Sequence, residues 1–285
     1  MASDSKYTFV QEPGWKLWVV PGIWNETLWH ALREAIESLH PQKHPQTIEI
    51  QLPTRNERLF LKVFHRFCQL DTLKDCFRVS KALRALKIGE ALSQAGFNVA
   101  DAIAAGEQRR YGVLERSFSL TLAVSAAPLP LFLRQRYDSA GGRGQIAEKR
   151  DSLKRLALEV RRLHALGFVH GDLVPSNILV CHGAAQKLQF FFLDNDRTRR
   201  YPKWFPQRLW KRNLIQLNRF PLAGISLQDR MRFFHNYAGR RKCVQADRQL
   251  LRWLERRTRE RRRECDAVDI SGSFRKLMQW NPSAS

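Results

Sequence analysis

Residues 164–180 read HALGFVHGDLVPSNILV, and an apolar run closes shortly afterwards on FFFLDND at 190–196. An apolar-striped segment runs into a polar turn carrying Asp172. Asn177 opens the strand-like NILV (177–180), and KLQFFFLD (187–194) delivers Asp194. Three polar side chains flanked by apolar strands would each need a separate partner if they had no common task. A polar group buried without a partner costs about 1–3 kcal/mol. Phosphoryl transfer from a nucleotide asks for this set. One carboxylate takes the proton of an acceptor hydroxyl, while an amide oxygen and a second carboxylate hold metal ions on the phosphates.

Periodicity places the motif within an α+β chain. Leu28, Leu32, Ile36 and Leu39 predict a helix over 24–39, TIEIQL (47–52) alternates like a strand, and RLFLKVF (58–64) reads as a buried strand joined to it through PTRNE. A helix is expected over 80–95 with Gly96 as its stop, then one or two strands within 111–124, then a loop at SAGGRGQ. Leu153, Leu156, Val160 and Leu163 form the stripe of a helix over 147–166 that Gly167 ends. Beyond Arg200 the pattern is helical, with Leu250, Trp253 and Leu254 on one face. Strands dominate the first part and helices the second, so two lobes are expected, 1–125 and 126–285.

Composition narrows the class. Hydrophobic types make up 44% of 285 residues, enough for a core in one large domain or two modest lobes. MASDSKYTFV lacks the basic start and apolar run of a secretory leader. The longest uncharged stretch, Ser117 to Leu133, is broken by Pro128 and Pro130 and is too short for a good transmembrane helix. Cys68, Cys76, Cys181, Cys243 and Cys265 are scattered with no C-x-x-C pair, which points to a reducing compartment. Lys and Arg number 49 against 27 Asp and Glu, a net +22 that implies an anionic partner: nucleic acid, a membrane surface or a phosphorylated substrate.

VHGDLVPSNILV…FFLDNDRT resembles the kinase-fold enzymes with an H-G-D loop, including aminoglycoside and choline kinases. The interval of five between Asp172 and Asn177 equals that of H-R-D-x-x-x-x-N. WKRNLIQLN (210–218) and ISLQDRMRFFHNYAG (225–239) resemble the bacterial lipopolysaccharide kinase family, whose members phosphorylate Kdo or heptose of the inner core. The likeness runs patchily from Ile48 to Gly239. It implies a two-lobed protein-kinase-like fold and an ATP- and Mg²⁺-dependent kinase with an inner-core sugar as acceptor. In that scheme Asp172 is the catalytic base, Asn177 and Asp194 hold the metal, and Lys62 contacts the nucleotide phosphates with Glu90 as its partner. Lys62 is also the one ammonium within an otherwise apolar strand, where burial without an anion would be costly.

Departures accompany the likeness. No glycine-rich loop precedes Lys62, so Arg55 and Arg58 are candidates to cover the phosphates. The family's Glu should fall where Ala85 stands, five positions before Glu90. Asn195-Asp196 replaces Phe-Gly, leaving Asp196 as a second ligand or a partner of Arg197. Gly171 stands where regulated protein kinases carry an Arg. His170 is expected to pack the loop and His164 to lie on the surface.

The stretch 197–219 carries eight Lys or Arg and no acid, interleaved with Tyr201, Trp204, Phe205 and Trp210. ERRTRERRRE (255–264) adds six Arg. Both suit an anionic sugar at a lipid surface on the cytoplasmic face of the membrane. Aromatics could also stack on bases, but no nucleic-acid module is present. Two alternatives stand beside this reading: a phosphotransferase of the aminoglycoside or choline type, and a catalytically weak kinase-fold scaffold.

Overall fold

Strand alternation builds the first half of the molecule, and the computed structural model shows what each face meets. The described residues are 6–42, 44–51, 57–66, 78–137, 143–183, 187–202, 204, 208–220, 222, 224–240 and 244–267. Arg55, the turn at 53–56, most of the SAGGRGQ loop and four of the five cysteine side chains lie outside them. The chain divides into two compact units: Met1–Val124 with Asp194–Arg197, and Ser125–Leu193 with Thr198–Ser285.

The first unit contains β1 (Thr8–Glu12), β2 (Trp15–Val19), α1 (Glu26–Ser38), β3 (Gln46–Gln51), β4 (Arg58–His65), α2 (Lys81–Gln94), β5 (Ala102–Arg110) and β6 (Val113–Leu122). The strands form one antiparallel sheet in the order β1-β2-β5-β6-β4-β3. Successive side chains of a strand point to opposite faces. Leu59, Leu61 and Val63 of β4 therefore share a face, where they pack in one core with Leu28, Trp29, Leu32 and Ile36 of α1. Phe64 lies on the other face with Ala82 and Leu86 of α2, and alternation puts Lys62 there too. Asn25 caps α1 by accepting from Leu28 N–H at 2.8 Å, and Ser80 caps α2 by accepting from Leu83 N–H at 3.1 Å. The hairpin β1–β2 and the strand β5 have no counterpart in the sequence expectation. The helices expected over 24–39 and 80–95 are present.

The second unit contains β7 (Ala127–Pro128), α3 (Leu129–Tyr137), α4 (Arg143–Ala165), β8 (Phe168–Val169), β9 (Ile178–His182), β10 (Leu188–Phe192), β11 (Arg199–Arg200), α5 (Arg208–Leu217), α6 (Leu227–Ala238) and α7 (Gln245–Ala267). β10, β9 and β7 make a small antiparallel sheet, and β8 pairs with β11. The stripe expected on α4 is its buried face: Leu153, Leu156, Val160 and Leu163 are all under 8% exposed. Gly167 ends the helix at φ +84, and a Cβ there would lie 2.1 Å from the Tyr201 carbonyl oxygen. Close approach and left-handed backbone together require glycine at this position.

α6 starts with a capping box. The Ser226 hydroxyl accepts from Asp229 N–H while the Asp229 carboxylate accepts from Ser226 N–H. Asp229 is 2% exposed and also pairs with Lys149 of α4 at 3.0 Å and with Arg232 at 3.1 Å. Among the described residues no helix is long and apolar enough to cross a membrane.

Removing one member of such a buried pair strands the other charge. Asp229→Ala is expected to cost about 3–5 kcal/mol, read as a lower urea midpoint with unchanged slope.

Candidate active site

In the second unit, buried hydrogen bonds fix the shape of the segment that carries Asp172. His170 is 1% exposed. Its Nδ1 accepts from Asp172 N–H at 3.1 Å, so Nε2 carries the proton and donates to the Leu193 carbonyl at 2.9 Å. The loop is thereby tied to the end of the strand that delivers Asp194, and Leu193 N–H donates back to the Asn177 carbonyl at 2.9 Å. Asn177 lies in a 3₁₀ turn, Pro175–Asn177, whose entry Pro175 fixes. Its Nδ2 donates to the Asp172 carbonyl at 2.9 Å, which orients the amide and leaves Oδ1 as a hard oxygen donor.

α5 lies beneath this loop. Asn213 is fully buried; its Oδ1 accepts from His170 N–H at 3.0 Å and its Nδ2 donates to the His170 carbonyl at 2.5 Å. The same Oδ1 accepts from His164 Nε2 at 3.1 Å, so His164 Nδ1 is the acceptor for the Tyr237 hydroxyl at 2.8 Å. His164 is therefore not a surface residue, as its neighbours on α4 suggested. It is 5% exposed, stacked on Trp210 and edge-on to Tyr237. Burial pushes its imidazolium down to about 4; the bond to Asn213 opposes this and the neighbouring His170 adds slightly to the fall. Tyr237, likewise buried, is raised well above the ordinary phenol range.

In the first unit, Lys62 Nζ donates to Asp194 Oδ1 at 2.5 Å. Asp194 adopts φ +59, a left-handed backbone uncommon outside glycine. It leads into the 3₁₀ turn Asn195–Arg197, against which α2 packs. Asp196 is 5% exposed, and its carboxyl is pushed up to about 6 by burial and then by the charge of Asp194, with Lys62 opposing. Lys81, the first residue of α2, has its ammonium lowered by burial, which Asp196 partly offsets. Lys62 and Lys81 both lie over the Phe64 ring, at 5.2 and 5.8 Å from its centroid.

Lys62 pairs with Asp194 and not with Glu90, which lies near Tyr7 and adds to the rise of that phenol to about 12, behind burial as the main cause. Helical geometry explains this: a Glu five positions past the expected site comes round on a different face. Arg58, a candidate to cover phosphates, instead reaches Glu49 on β3 at 3.6 Å. The basic run 255–264 is not wholly solvated. Arg262 donates to the carbonyls of Asn218 and Arg219 at 2.7 and 2.8 Å, whereas Arg256, Arg257, Arg259, Arg261 and Arg263 are exposed. Asn213, Gln216 and Lys81 had no role in the sequence reading; no local periodicity shows which distant group a polar side chain meets.

Residues 57–237 match the model of the "Lipopolysaccharide kinase (Kdo/WaaP) family". The chain belongs to this family. It is accordingly a kinase, a phosphotransferase acting on a sugar hydroxyl. Among solved structures it is similar to one described as "WaaP in complex with acyl carrier protein", with TM-score 0.60 and 21% identity over 83% of this chain and 95% of that one. That likeness gives the protein-kinase-like α+β fold. A Rio2 kinase from Chaetomium thermophilum, in an ADP/Mg²⁺-phosphoaspartate complex, aligns at TM-score 0.43 and 15% identity over 82% of this chain and 75% of that one. A search of curated proteins gives no match.

Burial of His164 is expected to make the fold sensitive to acid. Its folded-state pKa lies below the unfolded value of 6.5, so its contribution is complete above pH 6.5 and is lost as pH falls towards 4. Stability should drop by about 3 kcal/mol across that window, and His164→Gln should flatten the drop in urea unfolding at a series of pH values.

Proposed function

We propose that this kinase transfers the γ-phosphoryl group of ATP to a hydroxyl of Kdo or heptose in the lipopolysaccharide inner core. The observation that carries this reading is the Asp172–Asn177 loop. It offers a carboxylate and an oriented amide oxygen at the interval that phosphoryl transfer uses, on a backbone fixed by buried hydrogen bonds. Asp172 accepts the proton of the sugar hydroxyl as that oxygen bonds to the γ-phosphorus and the bridging oxygen leaves with ADP. Asn177 and Asp194 would hold Mg²⁺. Both offer the hard oxygens the ion prefers, and Mg²⁺ would neutralise charge developing on the phosphates. Lys62, which pairs with Asp194, would exchange that carboxylate for phosphate oxygen. Glu90 plays no part in that exchange.

Net charge separates this acceptor from an aminoglycoside or choline. A protein at +22 repels a cationic acceptor and draws in an anionic one. Retention of the Asp172, Asn177 and Asp194 set speaks against a scaffold. We propose the cytoplasmic membrane surface as the working site, with the exposed arginines of α7 facing anionic headgroups. We further propose acyl carrier protein as a second partner, by likeness to the solved structure described as WaaP in complex with that protein.

Labelled ATP offered with lipopolysaccharide, lipid A precursors, aminoglycosides and small polyols should label the lipopolysaccharide fraction alone; labelling only of aminoglycosides would overturn the acceptor. Asp172→Asn should lose on the order of 10²–10⁴ in turnover while keeping its thermal shift with Mg·ATP. Near-normal turnover would remove Asp172 from its role.

Replacing Arg256, Arg257, Arg259, Arg261 and Arg263 by Gln should weaken binding to phosphatidylglycerol vesicles. Equal vesicle binding would exclude α7 as the anchor.

A further inference from the structure

Gln216 stands one turn beyond Asn213 on α5, so both amides project from one face of the helix towards the loop. Gln216 uses both its donors and its acceptor oxygen on the loop and its support. Oε1 accepts from Leu173 N–H at 3.2 Å and from Asn213 Nδ2 at 2.9 Å. Nε2 donates to the Gly171 carbonyl and to the Asp172 carboxylate Oδ1, both at 3.2 Å. It thus touches the residue before the base, the residue after it and the base's own carboxylate.

We infer that Gln216 is a positioning residue for the sugar-phosphorylating reaction: it fixes the Asp172 carboxylate torsion and thereby the direction in which its other oxygen meets the acceptor hydroxyl. This rests on Asp172 being the base. A carboxylate on a half-buried loop has a broad, shallow torsion at its terminal bond, and backbone restraint alone does not set it. One N–H pinned to Oδ1 removes that freedom, while bonds to Gly171 and Leu173 hold the backbone from which the torsion is measured. A general base placed about 1 Å away from its productive position can lose on the order of 10²-fold in rate. Asn213 acts differently: its bonds go to the His170 backbone and not to the carboxylate.

The test compares Gln216→Met, which keeps length and removes every hydrogen bond, with Gln216→Glu, which keeps shape and replaces both N–H donors by acceptors. Both variants should lower kcat on the order of 10–10²-fold, with KM for ATP and for the sugar acceptor unchanged within about twofold. In an Asp172→Asn background, assayed by single-turnover transfer of labelled phosphate, either change should cost no more than about twofold further, because the group it positions is gone.

Three results would overturn the inference: wild-type kcat in both single variants, a rise in KM for ATP that matches the fall in kcat, or losses that multiply in the double variants. The first leaves Asp172 as base and removes only Gln216. Near-normal turnover in Asp172→Asn alone would instead remove the reading on which the inference rests. A purely structural Gln216 would give multiplying losses and a reduced thermal shift with Mg·ATP.

Discussion

One buried amide organises the second unit. Asn213 has no solvent exposure, and its side chain bonds to the N–H and the carbonyl of His170, to the ring of His164 and to Gln216. Away from water, each unmade bond would cost about 1–3 kcal/mol, so the loop, the helix below it and the His164–Tyr237 pair can only settle together. The loop therefore arrives at its task already shaped. His170 carries this order onward, taking the Asp172 N–H on one nitrogen and giving its own proton to Leu193 with the other.

The first unit solves a different problem, that of keeping a cation beside carboxylates. Strand alternation commits Lys62 to the face covered by α2, where it finds Asp194. α2 brings no glutamate to this place; its first turn brings Lys81, with Asp196 as the acid that steadies it. Two ammoniums lie over one ring beside the carboxylates of Asp194 and Asp196, with Arg197 acting on both Lys81 and Asp196.

Charge acts at longer range. The net excess of +22 reflects exposed arginines such as those of α7, while several cations are committed to structure: Lys149 to Asp229, Arg262 to the carbonyls after α5, Arg109 to the buried Glu107. Counting charges in a run such as 255–264 overstates what is available to a partner. The exposed subset is what can steer an anionic acceptor or surface.

Much of this was legible in the chain alone. The order Asp172, Asn177, Asp194, the alternation that buries β4 around Lys62, and the stripe of α4 are short-range patterns, and periodicity reports them directly. β5 was not legible: AIAAGEQRR is rich in small residues of low strand propensity and is a strand because β2 and β6 pair with it on both sides. The partner of Lys62 lies 132 positions away, and the Gln216 bond to Asp172 spans 44. His164 sits on a helix dense in arginine, yet packing of α6 and Trp210 buries it and holds it neutral. Sequence determined which chemical groups the chain carries and the local element that holds each. Only the tertiary structure decided which of them meet, because burial and hydrogen bonding depend on what the folded chain brings alongside, and no local period records that.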